Sequence, residues 1–222
     1  MNKNNVIGIV ATIKEKPRLI IDAPDWGLRV YETKIERRRP DTDTFDTFIL
    51  RYRGKSAGTE DVLEKIDEGA EVLIGGEVRS RNAKKPTDGE NKVIIYIFAE
   101  VIAINDPPAD QQNEVFLRGR VCKVPRARTI RRKKHGKEIE IPITDIIVAT
   151  NTSSGAHYIP CVCWREQART AAALKIGAYV EITGRLQSRE FTRRIKGKET
   201  LFLCKNYEVS VCELDHETQE GE

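Results

Sequence analysis

Along most of this chain apolar residues recur at every second position, the spacing of a strand with one face in a core. In the first half the pattern predicts strands at Val6 to Val10, Leu28 to Ile35, Phe45 to Arg53, Glu71 to Arg79 and Val93 to Ile104. In the second half it predicts Val115 to Val124, Glu138 to Thr150, His157 to Trp164, Tyr179 to Gln187 and Leu201 to Leu214. Between the third and fourth strand of each half the period lengthens to that of a short helix. Thr59 to Ile66 sets Val62, Leu63 and Ile66 on one stripe with its acids early, and Glu166 to Lys175 carries Ala168, Ala171, Ala172 and Leu174 ahead of a stop at Gly177. Five strands with a helix between the third and fourth is the order of an OB-fold, a small Greek-key barrel.

The two halves repeat one design. Gly69-Ala70-Glu71-Val72-Leu73-Ile74-Gly75-Gly76-Glu77-Val78-Arg79-Ser80-Arg81 returns as Gly177-Ala178-Tyr179-Val180-Glu181-Ile182-Thr183-Gly184-Arg185-Leu186-Gln187-Ser188-Arg189. The offset between copies is about 108 to 111 residues, too long for a solenoid repeat and right for a whole domain. The expected class is therefore all-β with one short helix per domain: two tandem OB-folds. Residues 1–106 form the first domain, 107–112 a polar, proline-containing linker, 113–214 the second domain, and 215–222 a disordered acidic tail.

Composition narrows the function. Lys and Arg number 38 against 34 Asp and Glu, a net charge of +4 in 222 residues, so a nucleic acid partner is permitted and the distribution of charge has to decide. The longest apolar runs fall far short of a membrane span, and no apolar signal core follows the N-terminus, so the chain reads as cytoplasmic, without membrane contact and, with a DNA ligand, nucleoid-associated. The five cysteines, Cys122, Cys161, Cys163, Cys204 and Cys212, lie in or beside apolar runs and read as reduced core thiols. They lack the paired spacing of a zinc site, so neither metal nor other cofactor is expected. Gly54-Lys55-Ser56 has Ile49 where a phosphate-binding loop needs its leading glycine, and no nucleophile elbow is present; the expectation is no catalysis.

Cations concentrate between strands. Arg126, Arg128, Arg131, Arg132, Lys133, Lys134 and Lys137 fall in one connection, and Arg189, Arg193, Arg194, Lys196 and Lys198 in another. In an OB-fold these positions are hairpin loops flanking the binding face, where they suit a phosphate backbone. Period-two alternation on the third strand of the second half sends Ile159, Cys161 and Cys163 to the core and Tyr158, Pro160, Val162 and Trp164 outward. Phe191 joins Tyr158 and Trp164 as a third ring at the rim. Flat rings among cations suit unpaired bases. Arg118 and Arg120 on the opening strand of that half, and Arg51 and Arg53 on the third strand of the first, complete the candidate phosphate contacts.

The stretch Asn113 to Val121, then Pro125, Ala149-Thr150-Asn151, Tyr158 to Trp164, Ala168, Leu174 to Gly177, Val180 to Leu186 and Tyr207 to Val211 resembles bacterial single-stranded DNA-binding proteins. The likeness covers nearly all of residues 113–214, and residues 4–106 look like a diverged copy. It implies sequence-tolerant binding of single-stranded DNA in replication, repair or recombination, with base stacking on the positions of Tyr158, Trp164 and Phe191. It also implies four OB-folds per assembly, hence a homodimer of this two-fold chain. In the first half the matching positions hold Thr47, Arg53 and, roughly, Ala83, so that domain offers charge without stacking rings. The family's tail closes on a phenylalanine that recruits replication and repair proteins; this chain ends in acids and glycine, which leaves that route in doubt. The readings open beside this one are an OB-fold protein-interaction adaptor in a primosome-like or phage replication complex, and an RNA binder.

Overall fold

The computed structural model describes residues 3–40, 42–54, 66–83, 93–104, 112–134, 137–194 and 201–217. Six strands stand in the first half: β1 (Asn5–Ile13), β2 (Arg18–Ala23), β3 (Leu28–Arg38), β4 (Phe45–Arg53), β5 (Glu71–Asn82) and β6 (Val93–Ile104). The second half holds β7 (Asn113–Val121), β8 (Arg126–Lys134), β9 (Lys137–Thr152), β10 (Gly155–Trp164), the helix α1 (Arg165–Ala173), β11 (Tyr179–Arg194) and β12 (Leu201–His216). The helix expected over Thr59 to Ile66 lies outside the described residues except for Ile66, as does the linker except for Gln112. Among the described residues no helix is long and apolar enough to cross a membrane.

Each half closes a barrel of five strands. In the first, β3 pairs antiparallel with β4, β4 runs parallel to β6, β6 pairs with β5, β5 with β1, and Thr12↔Glu36 and Ile13↔Ile35 return β1 to β3. In the second, β9–β10, parallel β10–β12, β12–β11 and β11–β7 follow the same course, and Arg120↔Ala149 and Val121↔Val148 close the ring. This connectivity is the Greek-key barrel of the OB-fold, built twice. Closing needs a glycine where strands nearly touch: a Cβ on Gly119 would collide with the Ala149 carbonyl oxygen. Ile7, Ile9, Ile35, Leu50, Ile74 and Ile97 fill one interior; Leu117, Val148, Ile159, Cys163, Val180, Ile182 and Val209 fill the other.

The sixth strand of each half, β2 or β8, is an outer strand paired with the one that follows it. β8 corrects the expectation of a basic loop: Arg126 to Lys134 is a strand matched residue for residue with Asp145 to Lys137. Its apolar content is Ile130 and Ala127, so no hydrophobic period marks it, and its form comes from pairing with β9. Likewise Arg189, Arg193 and Arg194 continue β11, and β12 runs through Asp215 and His216, into the expected tail. Residues 218–222 lie outside the described residues.

The compact units do not follow the halves of the chain. One comprises Met1–Asn5, Glu114–Leu186 and Glu208–Glu222; the other comprises Val6–Asn113 and Gln187–Tyr207. The far part of the β11–β12 hairpin thus belongs with the first barrel. Polar contacts explain it: Arg39 holds the Asp46 carboxylate at 2.9 and 2.7 Å and donates to the Ser188 carbonyl at 2.7 Å, while the Ser188 amide donates to Asp46 at 2.7 Å. Lys205 donates to the Thr47 hydroxyl, and the Phe48 and Tyr207 rings meet at 6.2 Å. Repeat spacing registers chain order, not such packing, so the boundaries at 106 and 113 differ from these units.

Cys161 and Cys163, buried on β10, are packing groups as expected, whereas Cys212 is exposed and Cys122 half-buried, so not all five cysteines are core thiols. Burial pushes the Cys163 thiol up to about 12 and raises Cys161 well above the ordinary thiol range, so both stay protonated at neutral pH.

Candidate nucleic-acid interface

β10 positions two of the predicted rings. Its alternation buries Ile159, Cys161 and Cys163 and leaves Tyr158 50 % exposed on the outer face. Trp164, half-buried, ends the strand on that face; Arg165 then takes a φ of +52°, in the left-handed region, and turns the chain into α1. Thr144 of β9 anchors the helix by donating to the Ala168 carbonyl at 2.7 Å, which fixes the turn that follows Trp164. Val162 departs from its expected outward exposure and is buried. It faces Asp145 on β9 and Ser210 on β12, and Ser210 and Ile143 beside it are buried as well, so the outer surface is covered between Tyr158 and Trp164.

The β8–β9 ribbon sorts the basic cluster by face. Residues directly opposite across a ladder share a face, so register links Trp164 to Ile143 and Ile143 to Arg128, and likewise Val162 to Asp145 and Asp145 to Arg126. Arg126, Arg128 and Arg132 therefore stand on the face of the rings. Arg131 and Lys133 stand on the other, opposite Glu140 and Glu138. Arg131 is bound to Glu140 at 2.9 Å, and Arg128 grips Asp145 with two hydrogen bonds of 3.0 Å. Arg126 and Arg132 make no ion pair among the described residues. The partner-strand acids were legible in the sequence only once β8 was known to be a strand. The Lys134, Arg193 and Arg194 side chains lie outside the described residues.

Phe191 and Arg189 sit on β11 in the unit of the first barrel, with the Arg189 guanidinium 5.8 Å from the ring centroid; the structure does not gather Phe191 with Tyr158 and Trp164 in one compact unit. In that same unit β4 points Thr47, Ile49, Arg51 and Arg53 outward and buries Phe48, Leu50 and Tyr52, the division expected from the alternation. Arg51 is not available as an open charge: Glu32 binds it at 2.8 and 2.5 Å and also takes Arg18 at 2.5 Å. Burial alone would push Glu32 up, but its hydrogen bonds from Arg18 and Arg51 win and hold it below the ordinary carboxylate range. Arg51 also lies 4.6 Å over the Tyr96 ring, and Arg79, bound to Glu77 at 2.8 Å, lies 3.9 Å over Phe98. These two outward rings of β6 were not singled out in the sequence. Their alternation with buried Ile95 and Ile97 is the signal that could have found them.

On β7, Arg118 is paired with Glu181 at 2.7 Å, whereas Arg120 donates to the Gly177 carbonyl at 2.8 Å and has no carboxylate partner among the described residues. Tyr179, outward because Val180 and Ile182 point into the core, lies 5.7 Å from the Arg120 guanidinium. Tyr179 is a further ring that the sequence reading left out.

Residues 112–211 match the family described as Single-strand binding protein family. Two solved structures resemble the whole chain. The wild-type single-stranded DNA binding protein from Thermus aquaticus has a TM-score of 0.69 at 19 % identity, covering 98 % of this chain and 95 % of that one. A deletion mutant of the same protein has a TM-score of 0.69 at 20 % identity, covering 98 % and 96 %. At such identity the likeness shows the fold, two OB barrels in one chain. No curated protein sequence matches the chain.

Proposed function

We propose, from the match of residues 112–211 to the single-strand binding protein family, that this chain binds single-stranded DNA with little sequence preference. The observation that carries the reading is β10, which holds Tyr158 half open to solvent and Trp164 at the strand end beside a ribbon whose Arg126 and Arg132 lack carboxylate partners among the described residues. An exposed ring on a sheet stacks on any base, and unpaired guanidiniums release counterions from phosphates; together they give affinity without reading base edges. Tyr158, Trp164 and Phe191 are the stacking rings of the reading. Arg126, Arg132 and Arg120 are its phosphate contacts on the barrel of β10, Arg128 being held by Asp145, with Arg189 beside Phe191. Sequence tolerance, two barrels per chain and the family's setting support a role in replication, repair or recombination, with two chains pairing to bring four barrels to one strand.

A salt-dependent fluorescence titration with oligo(dT) of graded lengths tests this. Binding is expected to quench tryptophan emission, to weaken as salt rises, and to outlast competition by duplex DNA. Tighter binding of oligo(U) would turn the reading toward RNA, and an absence of quenching at low salt would end it.

A further inference from the structure

The register of the second barrel sets one row of side chains across four strands. Tyr158 of β10 lies opposite Ala149 of β9, Ala149 opposite Arg120 of β7, and Arg120 opposite Tyr179 of β11. Each pair shares a face, so the row runs along the outer surface: ring, small residue, cation, ring. With strands about 4.8 Å apart, three spacings separate the rings by about 14 Å along the curve. A few nucleotides bridge that distance, within the 4–16 or so that an OB-fold covers. Between Ala149 and Tyr179 the surface sinks into a depression of about 240 Å³, floored by Gly119 and Ala149 and walled by Asn4, Arg118, Arg120, Asn151 and Tyr179. It is smaller than a drug-sized pocket, which spans about 300–1,000 Å³, and suits one base with its phosphate.

The chemistry of the walls is selective in the same direction. Glu181 neutralises Arg118, but Arg120 spends its hydrogen bond on a neutral carbonyl and keeps its charge for an anion. Asn151, exposed, offers both a donor and an acceptor to a base edge. At the floor β7 and β9 nearly touch, since a Cβ on Gly119 would collide with the Ala149 carbonyl oxygen. Carboxylates would repel a nucleic acid, and the lining holds none.

We infer that this depression is a nucleotide subsite: Tyr179 stacks a base and Arg120 binds its phosphate, carrying the single strand from Tyr158 across β9 to the β7–β11 side of the barrel. The inference rests on the single-stranded DNA reading and adds a path to it.

Labelled oligo(dT) of graded lengths, titrated with the full chain and followed by anisotropy, tests the path. Tyr179→Ala should bind the shortest oligomers as the unmutated chain does. It should lose roughly fivefold or more on long ones, the worth of a stacked base, and reach its plateau at a shorter length. Tyr179→Phe keeps the ring and should restore both. Arg120→Gln, an exposed change that decides the matter should Tyr179→Ala unfold, should lower the salt slope by about 0.7 on long oligomers. Unchanged binding by both variants, or a loss equal at every length, would overturn the subsite while leaving the parent reading intact. Failure of the unmutated chain to bind oligo(dT) would remove the parent reading instead.

Discussion

At the outer positions where β10 presents Tyr158 and Trp164, β4 presents Thr47 and Arg53. Of the first barrel's outward rings, two stand one strand over, on β6, under arginines, Arg51 over Tyr96 and Arg79 over Phe98, while Phe45 at the start of β4 and Trp26 ahead of β3 are exposed away from those outer positions. Each of those guanidiniums is tied to a carboxylate, Glu32 or Glu77. A ring capped by a cation, with the cation neutralised beside it, offers a base no face and a phosphate no charge. On the second barrel Tyr158 is half exposed, and Arg126, Arg132 and Arg120 have no carboxylate among the described residues. One barrel design thus yields β6 rings capped by neutralised arginines in one copy and, in the other, a half-exposed Tyr158 beside arginines with no carboxylate among the described residues. Our proposal therefore places Tyr158 and Trp164, two of its three stacking rings, on the second barrel, with Phe191 on the part of β11 that belongs to the other unit.

The largest effect should come from removing rings. Tyr158→Ala with Trp164→Ala is expected to cost about 1–3 kcal/mol of oligo(dT) affinity for each ring, while Tyr96→Ala with Phe98→Ala leaves affinity where it was. Anisotropy of labelled oligo(dT) reads both. Equal losses from the two pairs would break the contrast between the barrels.

How much of this contrast the sequence held depends on the kind of signal. Burial alternates strictly along β4 and through most of β10, so Phe48, Leu50, Ile159 and Cys163 were legible as core from period two alone. Val162 was not, because what covers an outer position comes from neighbouring strands far along the chain. β8 was illegible because a run of arginines carries no hydrophobic period; only its pairing with β9 makes it a strand. The same pairing sets Glu140 against Arg131, a neutralisation that counting charges within one segment cannot see. Tyr96, Phe98 and Tyr179 were within reach of alternation, but their state was not: whether an arginine lies over a ring is a fact of cross-strand register.

A smaller effect concerns Glu32, which keeps the first barrel's surface closed. Its carboxyl sits below its ordinary value of 4.5 because Arg18 and Arg51 outweigh the effect of burial. A carboxyl depressed on folding adds stability above the unfolded pKa and loses it as pH falls through the folded one. The unmutated chain should therefore lose this increment below about pH 4.5, and Glu32→Gln should lack it at every pH. The expected cost at neutral pH is roughly 1–3 kcal/mol, between an exposed ion pair and a buried charged hydrogen bond, since Arg18 is largely solvated. Urea midpoints measured from acid to neutral pH check it. Glu32→Gln also frees Arg51, so its oligo(dT) binding should steepen slightly with falling salt. A variant with unchanged midpoints at neutral pH would show that the carboxylate does not hold this surface together.

The smallest effect tests whether face, rather than sheer number, decides which cations matter. Arg126→Gln with Arg132→Gln removes two charges from the face of Tyr158 and Trp164. Arg131→Gln with Lys133→Gln removes two from the opposite face, where Glu140 and Glu138 already stand against them. Both double variants change the net charge equally, so a distant, unspecific attraction would weaken equally in both. Contact with phosphate would not: the first pair should lower the salt slope by about 0.7 per lost contact, while the second leaves it nearly unchanged. The released Glu140 and Glu138 in the second variant add a repulsion, but the face they occupy points away from the rings, so it should shift affinity at low salt more than the slope. Equal slopes for the two variants would mean that the ribbon acts as a diffuse basic arm and that its register with β9 has no part in holding the strand.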